Sequence, residues 1–253
     1  MIDTHTHLYL PQFTDDRPEM LARARAEGVE AFYLPNIDKD SIPAVKELAQ
    51  AEADCFPMMG LHPSHVKDDY QEHLAAVFEE LAGPQRYYAV GEIGVDLYWD
   101  KTFREEQMRV FGIQIEKAKE MGLPIVIHCR DAFEEVFEVL ETFADERLYG
   151  IFHCFSGNLD QAQQAIGLNL KLGIGGIVTF KNAGLDQVVQ QLGLENLVLE
   201  TDAPYLAPAP YRGKRNESAY LSYIARRIAD LHQRPLEEVV AITTANARQI
   251  FPA

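Results

Sequence analysis

Apolar residues in this chain gather in short runs, and between the runs they recur at helical spacing. The runs are 1–4, 31–34 (Ala-Phe-Tyr-Leu), 55–59 (Cys-Phe-Pro-Met-Met), 87–92 (Tyr-Tyr-Ala-Val-Gly-Glu), 124–128 (Pro-Ile-Val-Ile-His), 148–153, 169–174 and 197–202. Runs this short and this continuously apolar suit parallel strands covered on both faces. The stretches between them predict helices over about 18–27, 41–53, 70–81, 103–121, 132–143, 159–166 and 185–192, with two closing helices over about 217–231 and 235–249. Gly28, Gly83 and Gly122 supply stops, Thr102 with Glu105 makes a capping-box pattern, and Asp131 is the expected N-cap of the helix after it. Eight strand-like runs alternating with helices over 253 residues predict an α/β chain folded as a single (β/α)8 TIM barrel across residues 1–253. An open doubly wound sheet is the alternative. No Gly-x-Gly-x-x-Gly follows the first run, which counts against dinucleotide binding.

Composition adds bounds to this picture. Hydrophobic residues make up 47% of the chain, enough for a large core, and no Ser/Gly-rich linker or low-complexity tract divides it. No run of about 18 apolar residues predicts a membrane span. The first residues lack a basic region and an apolar signal core, so the protein is expected in the cytoplasm, as a monomer. Three cysteines, Cys55, Cys129 and Cys154, argue against a disulfide framework. The formal net charge of −16 argues against a broad basic footprint for nucleic acid. It is compatible with a nucleic-acid enzyme whose divalent cations supply the local positive charge.

In such barrels chemistry collects at the C-terminal ends of the strands. There the sequence places His5 and His7, His62 just past the third run, Glu92, His128, His153 and Asp202. His5 and His7 are two apart, so in a strand they share a face. The segments before these residues are strongly apolar, and polar groups ending core strands need partners. One shared metal site supplies partners for all of them. Four histidines and two carboxylates exceed the need of one tetrahedral ion and suit two divalent ions about 3.5–4 Å apart. Glu92 is the expected bridge, with His5, His7 and Asp202 on one ion and His128 and His153 on the other. Nitrogen and oxygen donors admit Mg²⁺, Mn²⁺ or Zn²⁺. Cys129 and Cys154 should turn to the opposite strand faces and pack.

Ile-Asp-Thr-His-Thr-His (2–7), Gly-Leu-His-Pro (60–63), Gly-Glu-Ile-Gly-Val-Asp (91–96), His-Cys-Arg-Asp-Ala (128–132), His-Cys-Phe-Ser-Gly (153–157), Leu-Glu-Thr-Asp-Ala-Pro-Tyr-Leu (199–206) and Arg-Gly-Lys-Arg-Asn-Glu (212–217) resemble, in order, the motifs of the TatD family. The resemblance implies a TIM barrel of the amidohydrolase-like superfamily and a divalent-metal-dependent deoxyribonuclease, often a 3′→5′ exonuclease associated with DNA repair. It implies His5, His7, Glu92, His128, His153 and Asp202 as metal ligands. Three positions depart from the family's habit: Ser218 where proline is usual, Val95 where leucine is common, and Thr6 where cysteine or alanine is common. None removes a ligand, and Ser218 bears on the loop near the mouth.

The expected substrate is DNA, single-stranded or with a free 3′ end. Asp202 is the candidate general base and Glu92 the catalytic bridge. His62 either meets the phosphate or leaving oxygen, or fixes the turn at Pro63. Arg130 and Arg212 either grip phosphates or form structural ion pairs. Glu200 and Asp96 are expected to hold ligands or loops in place. Tyr98 and Trp99, with Phe103, either stack on a base or pack at the rim. Lys171 is not expected to bridge metals, since Glu92 fills that role. Competing readings are a small-molecule amidohydrolase, lactonase or phosphoesterase on the same frame, and a non-enzymatic metal-binding scaffold.

Overall fold

A computed structural model describes residues 1–251. Eight strands appear: β1 (Ile2–Asp3), β2 (Ala31–Leu34), β3 (Cys55–Pro57), β4 (Val90–Asp96), β5 (Ile125–Arg130), β6 (Gly150–Phe152), β7 (Leu170–Ile174) and β8 (Leu197–Leu199). The helices are α1 (Arg17–Ala26), α2 (Ile42–Ala51), α3 (Tyr70–Ala82), α4 (Arg104–Met121), α5 (Phe133–Thr142), α6 (Leu159–Gly167), α7 (Leu185–Val189), α8 (Leu221–His232) and α9 (Leu236–Ile250). Every paired strand is parallel to its neighbour, in the orders β1-β2-β3 and β4-β5-β6-β7-β8. Both seams between these two sheets are crossed by backbone hydrogen bonds. Thr4 N donates to Leu199 O at one, and Gly91 N donates to Met59 O at the other. The strands thus follow the sequential order of a (β/α)8 barrel.

The continuous apolar runs are explained by burial on two sides. One cluster, including Ile2, Tyr33, Met58, Ala89, Val126, Ile151 and Val198, takes residues from seven of the eight strand regions and is closed by Ala247, Ile250 and Phe251 at the chain's end. Phe251 stacks on Tyr33 at 3.8 Å between centroids. The alternate strand residues, such as Phe32, Leu34, Ile93, Ile127, Phe152 and Leu172, pack outward against the helices. The bottom of the barrel is therefore filled with hydrocarbon, and its polar residues gather at the other end.

Strand β4 runs four residues beyond the predicted end, to Asp96. Its pairing with β5 slips between Gly91 and Ile93, so Glu92 falls in the irregularity. A Cβ on Gly91 would stand 2.7 Å from Val126 Cβ, and one on Gly60 would stand 2.8 Å from Gly91's carbonyl carbon. Glycine at both places lets three backbones close around Glu92. Two predicted caps do not form. The N-cap of α4 is Phe103, with no side-chain cap, and Thr102 N donates to Asp100 Oδ1 instead. Ala132 rather than Asp131 is the N-cap of α5, and Asp131 takes a left-handed φ of 52°. A capping box does form at α6, between Asn158 and Gln161. No helix among the described residues is long and apolar enough to cross a membrane.

Candidate metal centre

The strand ends bring His5, His7, His62, Glu92, His128, His153 and Asp202 to one place. Glu92 and His128 lie within strands; the others lie a few residues beyond them. Glu92 is central. Its Oε2 stands 3.2 Å from His5 Nε2 and 3.6 Å from His7 Nε2. Its Oε1 stands 2.8 Å from His128 Nδ1 and 3.5 Å from His62 Nε2. One carboxylate thus addresses two imidazole pairs with two oxygens, the arrangement a bridge requires. Asp202 Oδ1 is 3.5 Å from His7 Nε2 and 3.8 Å from His5 Nε2.

Three donor sets, each within 4.8 Å internally, follow: His5, His7 and Glu92; His5, His153 and Asp202; His62, Glu92 and His128. His153 stands between the two sides: its ring stacks on His5 at 3.3 Å between centroids, and its Nε2 lies 3.7 Å from Glu92 Oε1, the oxygen that faces His128, and 3.9 Å from Asp202 Oδ1. His62 takes the place beside His128, their nitrogens 3.2 Å apart. Ser64 N donates to His62 Nδ1, so the neutral ring carries its proton on Nε2, aimed at Glu92 and His128.

The donor chemistry fits divalent cations. His5 Nε2 and His7 Nε2 face each other at 3.3 Å, and buried His5 Nδ1 has no hydrogen-bond partner. Buried imidazoles and carboxylates crowded at this spacing are costly unless they share a partner, and a cation between them supplies one.

The local electrostatics follow from burial against charge. Burial opposes ionisation of Glu92, yet His5, His62 and His153 hold its carboxyl well below the usual range. Asp202 is lowered in the same way: His7 and His153 outweigh burial. Burial lowers His5, and it lowers His62 to about 4. His128 goes the other way: against burial, the carboxylates of Asp96 and Glu92 push it up to about 9.

Surrounding residues hold these groups. Asp96 Oδ2 lies 2.9 Å from His128 Nε2, and Glu200 Oε1 lies 2.9 Å from His153 Nδ1 while accepting from Cys154 N. Both carboxylates thus sit where the sequence placed them. Gly173 makes room for Glu200, since a Cβ there would come within 2.1 Å of its Oε2. Lys171 lies off the site, its Nζ donating to Glu195 O. Cys154 is a correction. Its thiol joins the donor set of His153 and Glu200, because β6 ends at Phe152 and Cys154 has a left-handed φ of 46°. Strict alternation of faces holds only within a strand.

Other residues position the cluster from further away. Tyr9 donates its hydroxyl to Pro35 O, so its oxygen accepts from His7 Nδ1 at 2.9 Å. That assigns the His7 proton to Nδ1 and leaves Nε2 free as a donor to metal. Asp3 accepts from Thr201 N, Thr201 Oγ1 and Ser218 Oγ, tying the first motif to the last. Ser218 begins a short 3₁₀ turn (Ser218–Tyr220) after an extended Glu217, a backbone that also accommodates proline. Within the 212–217 motif, Arg215 pairs with Asp16, Glu217 with Arg23, and Asn216 donates to Thr201 O and Tyr205 O. Those three residues pin the loop after β8.

Above the cluster opens a cavity of about 980 Å³. Arg130 and Arg212 line it. Among the described residues neither forms an ion pair; Arg130 lies 3.8 Å over the Tyr98 ring and Arg212 4.4 Å over Phe180.

The barrel and the imidazole–carboxylate cluster at its mouth define a hydrolase of the metal-dependent class. The family model described as TatD related DNase matches residues 2–252, and the chain belongs to the TatD family. It is 40% identical to the uncharacterized metal-dependent hydrolase YabD of Bacillus subtilis, over 99% of this chain and 98% of that one. It is 34% identical to the 3′-5′ ssDNA/RNA exonuclease TatD of Salmonella typhimurium, with the same shares covered. The crystal structure of the TatD homologue YJJV from Escherichia coli superposes with a TM-score of 0.94 at 29% identity, covering 100% of this chain and 98% of that one.

Proposed function

We propose that this chain is a 3′→5′ exonuclease that hydrolyses phosphodiester bonds of single-stranded DNA with two divalent ions. The observation that carries the reading is Glu92, whose two oxygens each face a separate pair of imidazoles. His5, His7, Glu92 and Asp202 would hold one ion. Glu92 with His128 and His153 would hold the other. Mg²⁺, Mn²⁺ or Zn²⁺ would supply Lewis acidity and positive charge against the phosphate. Asp202, kept ionised by its imidazole neighbours, accepts the proton of the attacking water, a step worth about 10²–10⁴-fold. His62 offers its Nε2 proton to a phosphate or leaving oxygen. Arg130 and Arg212 are free of carboxylate partners among the described residues and can meet the strand's remaining phosphates. Relatives named as 3′-5′ ssDNA/RNA exonucleases support the substrate class and polarity. A cytoplasmic monomer acting in DNA repair is the accompanying expectation.

The test is digestion of 5′-labelled single-stranded DNA after chelation, with Mg²⁺, Mn²⁺ or Zn²⁺ restored singly, beside Asp202→Asn. Metal-dependent shortening from the 3′ end, reduced at least 100-fold in the variant, is expected. No release with any metal, while the protein still binds the ions, would move the reaction to a small-molecule ester, amide or phosphate.

A further inference from the structure

Five large hydrophobic side chains are exposed among the described residues: Tyr98, Trp99, Met121, Tyr205 and Leu206. All but Met121 stand at the mouth of the one cavity described above. Trp99, Tyr205 and Leu206 line it, and Tyr98 packs edge-on against Trp99 at 4.7 Å. A chain with a 70-residue buried hydrophobic core has the means to hide four such residues, so their concentration at one opening calls for an occupant.

The four form two walls. Tyr98 and Trp99 follow β4; Tyr205 and Leu206 follow β8, four strands away around the barrel. The first wall is braced. Arg130 lies over the Tyr98 ring, and Tyr98 meets Trp99 at 88°, which sets the indole while leaving Trp99 76% exposed. The second wall is pinned by Asn216, which donates to Tyr205 O. Between them the mouth is lined by Arg130, Arg212 and Lys214, a cationic group on a chain of net charge −16. Flat aromatic surfaces interleaved with cations match a strand of alternating bases and phosphates. They do not match a small neutral ester, and they cannot be reached by bases stacked inside a duplex.

We infer that Trp99 and Tyr205 are base-stacking platforms on opposite sides of the active-site mouth, which take unstacked nucleobases of a single strand as its backbone passes Arg130 and Arg212 toward the metal centre. This rests on the nuclease reading above and adds to it a reason for strand selectivity. Stacking is indifferent to base identity, so it gives selection for single strands without sequence preference.

Trp99 is the chain's one tryptophan, so substitution at an exposed rim position tests the wall without touching the ligands. The experiment compares a dT₁₂ oligomer with one whose three terminal 3′ nucleosides are abasic, as substrates of the metal-loaded full chain. The parent, Trp99→Leu, Trp99→Phe and Tyr205→Leu are assayed together. For the parent, KM is expected to be about 10-fold higher for the abasic oligomer. In Trp99→Leu the two substrates converge through a rise in KM for dT₁₂, and Trp99→Phe restores most of the difference. Quenching of parent tryptophan fluorescence by dT₁₂, and not by the abasic oligomer, reports the same contact directly. Trp99→Leu and Tyr205→Leu that both keep the parent's preference for dT₁₂ would overturn the platforms and leave the nuclease reading standing. A parent that releases nucleotides from neither substrate with any divalent metal would overturn both.

Discussion

Tyr9 shows how one hydroxyl can decide what a candidate metal ligand is able to do. Its proton is committed to Pro35 O, so toward His7 its oxygen can only accept. The His7 ring must then carry a proton on Nδ1, so Nε2, turned to Glu92 and Asp202, is the nitrogen it can offer to a metal. Tyr9→Phe keeps the packing and deletes that instruction. It should weaken metal binding about 10–100-fold, read by competition with a chromogenic chelator, while the melting temperature of the chelated protein moves little. Unchanged metal affinity in Tyr9→Phe would mean that His7 needs no such partner. Residues of this sort separate what is legible in a sequence from what is not. Histidines and carboxylates ending apolar strands announce themselves by type and place, and Glu200 and Asp96 are found by strand spacing from Asp202 and Glu92. Tyr9 and Ser218 act through partners 26 and 215 residues away. Only the folded chain brings those partners near.

At the scale of elements, the turn after β8 is held to α1 by a small charge network. Arg215 donates to both Asp16 oxygens, at 2.6 and 2.7 Å, and Arg23 joins Asp16 to Glu217. The loop it restrains carries Tyr205 and stands beside Asp202. Arg215's hydrogen bonds hold the Asp16 carboxyl down to about 2. A depressed carboxylate contributes its stability above the unfolded-state value near 3.9 and loses it as pH falls through the folded value. These side chains are about a third exposed or more, so the pairing is worth about 1 kcal/mol rather than the full shift. Asp16→Asn should therefore lower stability in urea by about 1 kcal/mol at pH 7, and the gap from the parent should close between pH 4 and pH 2. A gap that persists at pH 2 would assign the loss to packing. The elements themselves were readable because parallel strands and amphipathic helices impose different periods, and most helix boundaries fall within two residues of the pattern. The misreadings at Thr102 and Asp131 share a cause. A cap is a choice among nearby acceptors, and Asp100 and a left-handed backbone won in these places. The length of β4 was hidden for a related reason: Gly91, Glu92, Gly94 and Asp96 look like a strand's end until β5 supplies a partner register through Arg130.

Across the whole molecule, the donor cluster sits where the strand ladders are incomplete. The two sheets meet at β8/β1 and at β3/β4, each joined by a few backbone bonds rather than a ladder. His5 and Asp202 lie just beyond the first seam; His62 and Glu92 flank the second. Ions held by these residues would join both seams from the inside. They would also relieve the electrostatic cost of buried imidazoles and carboxylates crowded at one end of an otherwise apolar barrel. Binding to the folded state alone stabilises it by about 2.7 kcal/mol when free metal is one hundred times the dissociation constant. For a chain of this size that corresponds to about 5–10 °C in melting temperature. Chelation should lower the melting temperature of the metal-loaded protein by that amount, with the loss reversed by added Mn²⁺ or Zn²⁺. His128→Ala combined with His153→Ala should remain folded by circular dichroism, lose nuclease activity, and respond less than half as much to chelator, because the ligands at the first seam remain. A double variant that melts with the parent's full metal dependence would place the stabilising ions away from Glu92, and would count against the bridged centre from which the proposed chemistry is built.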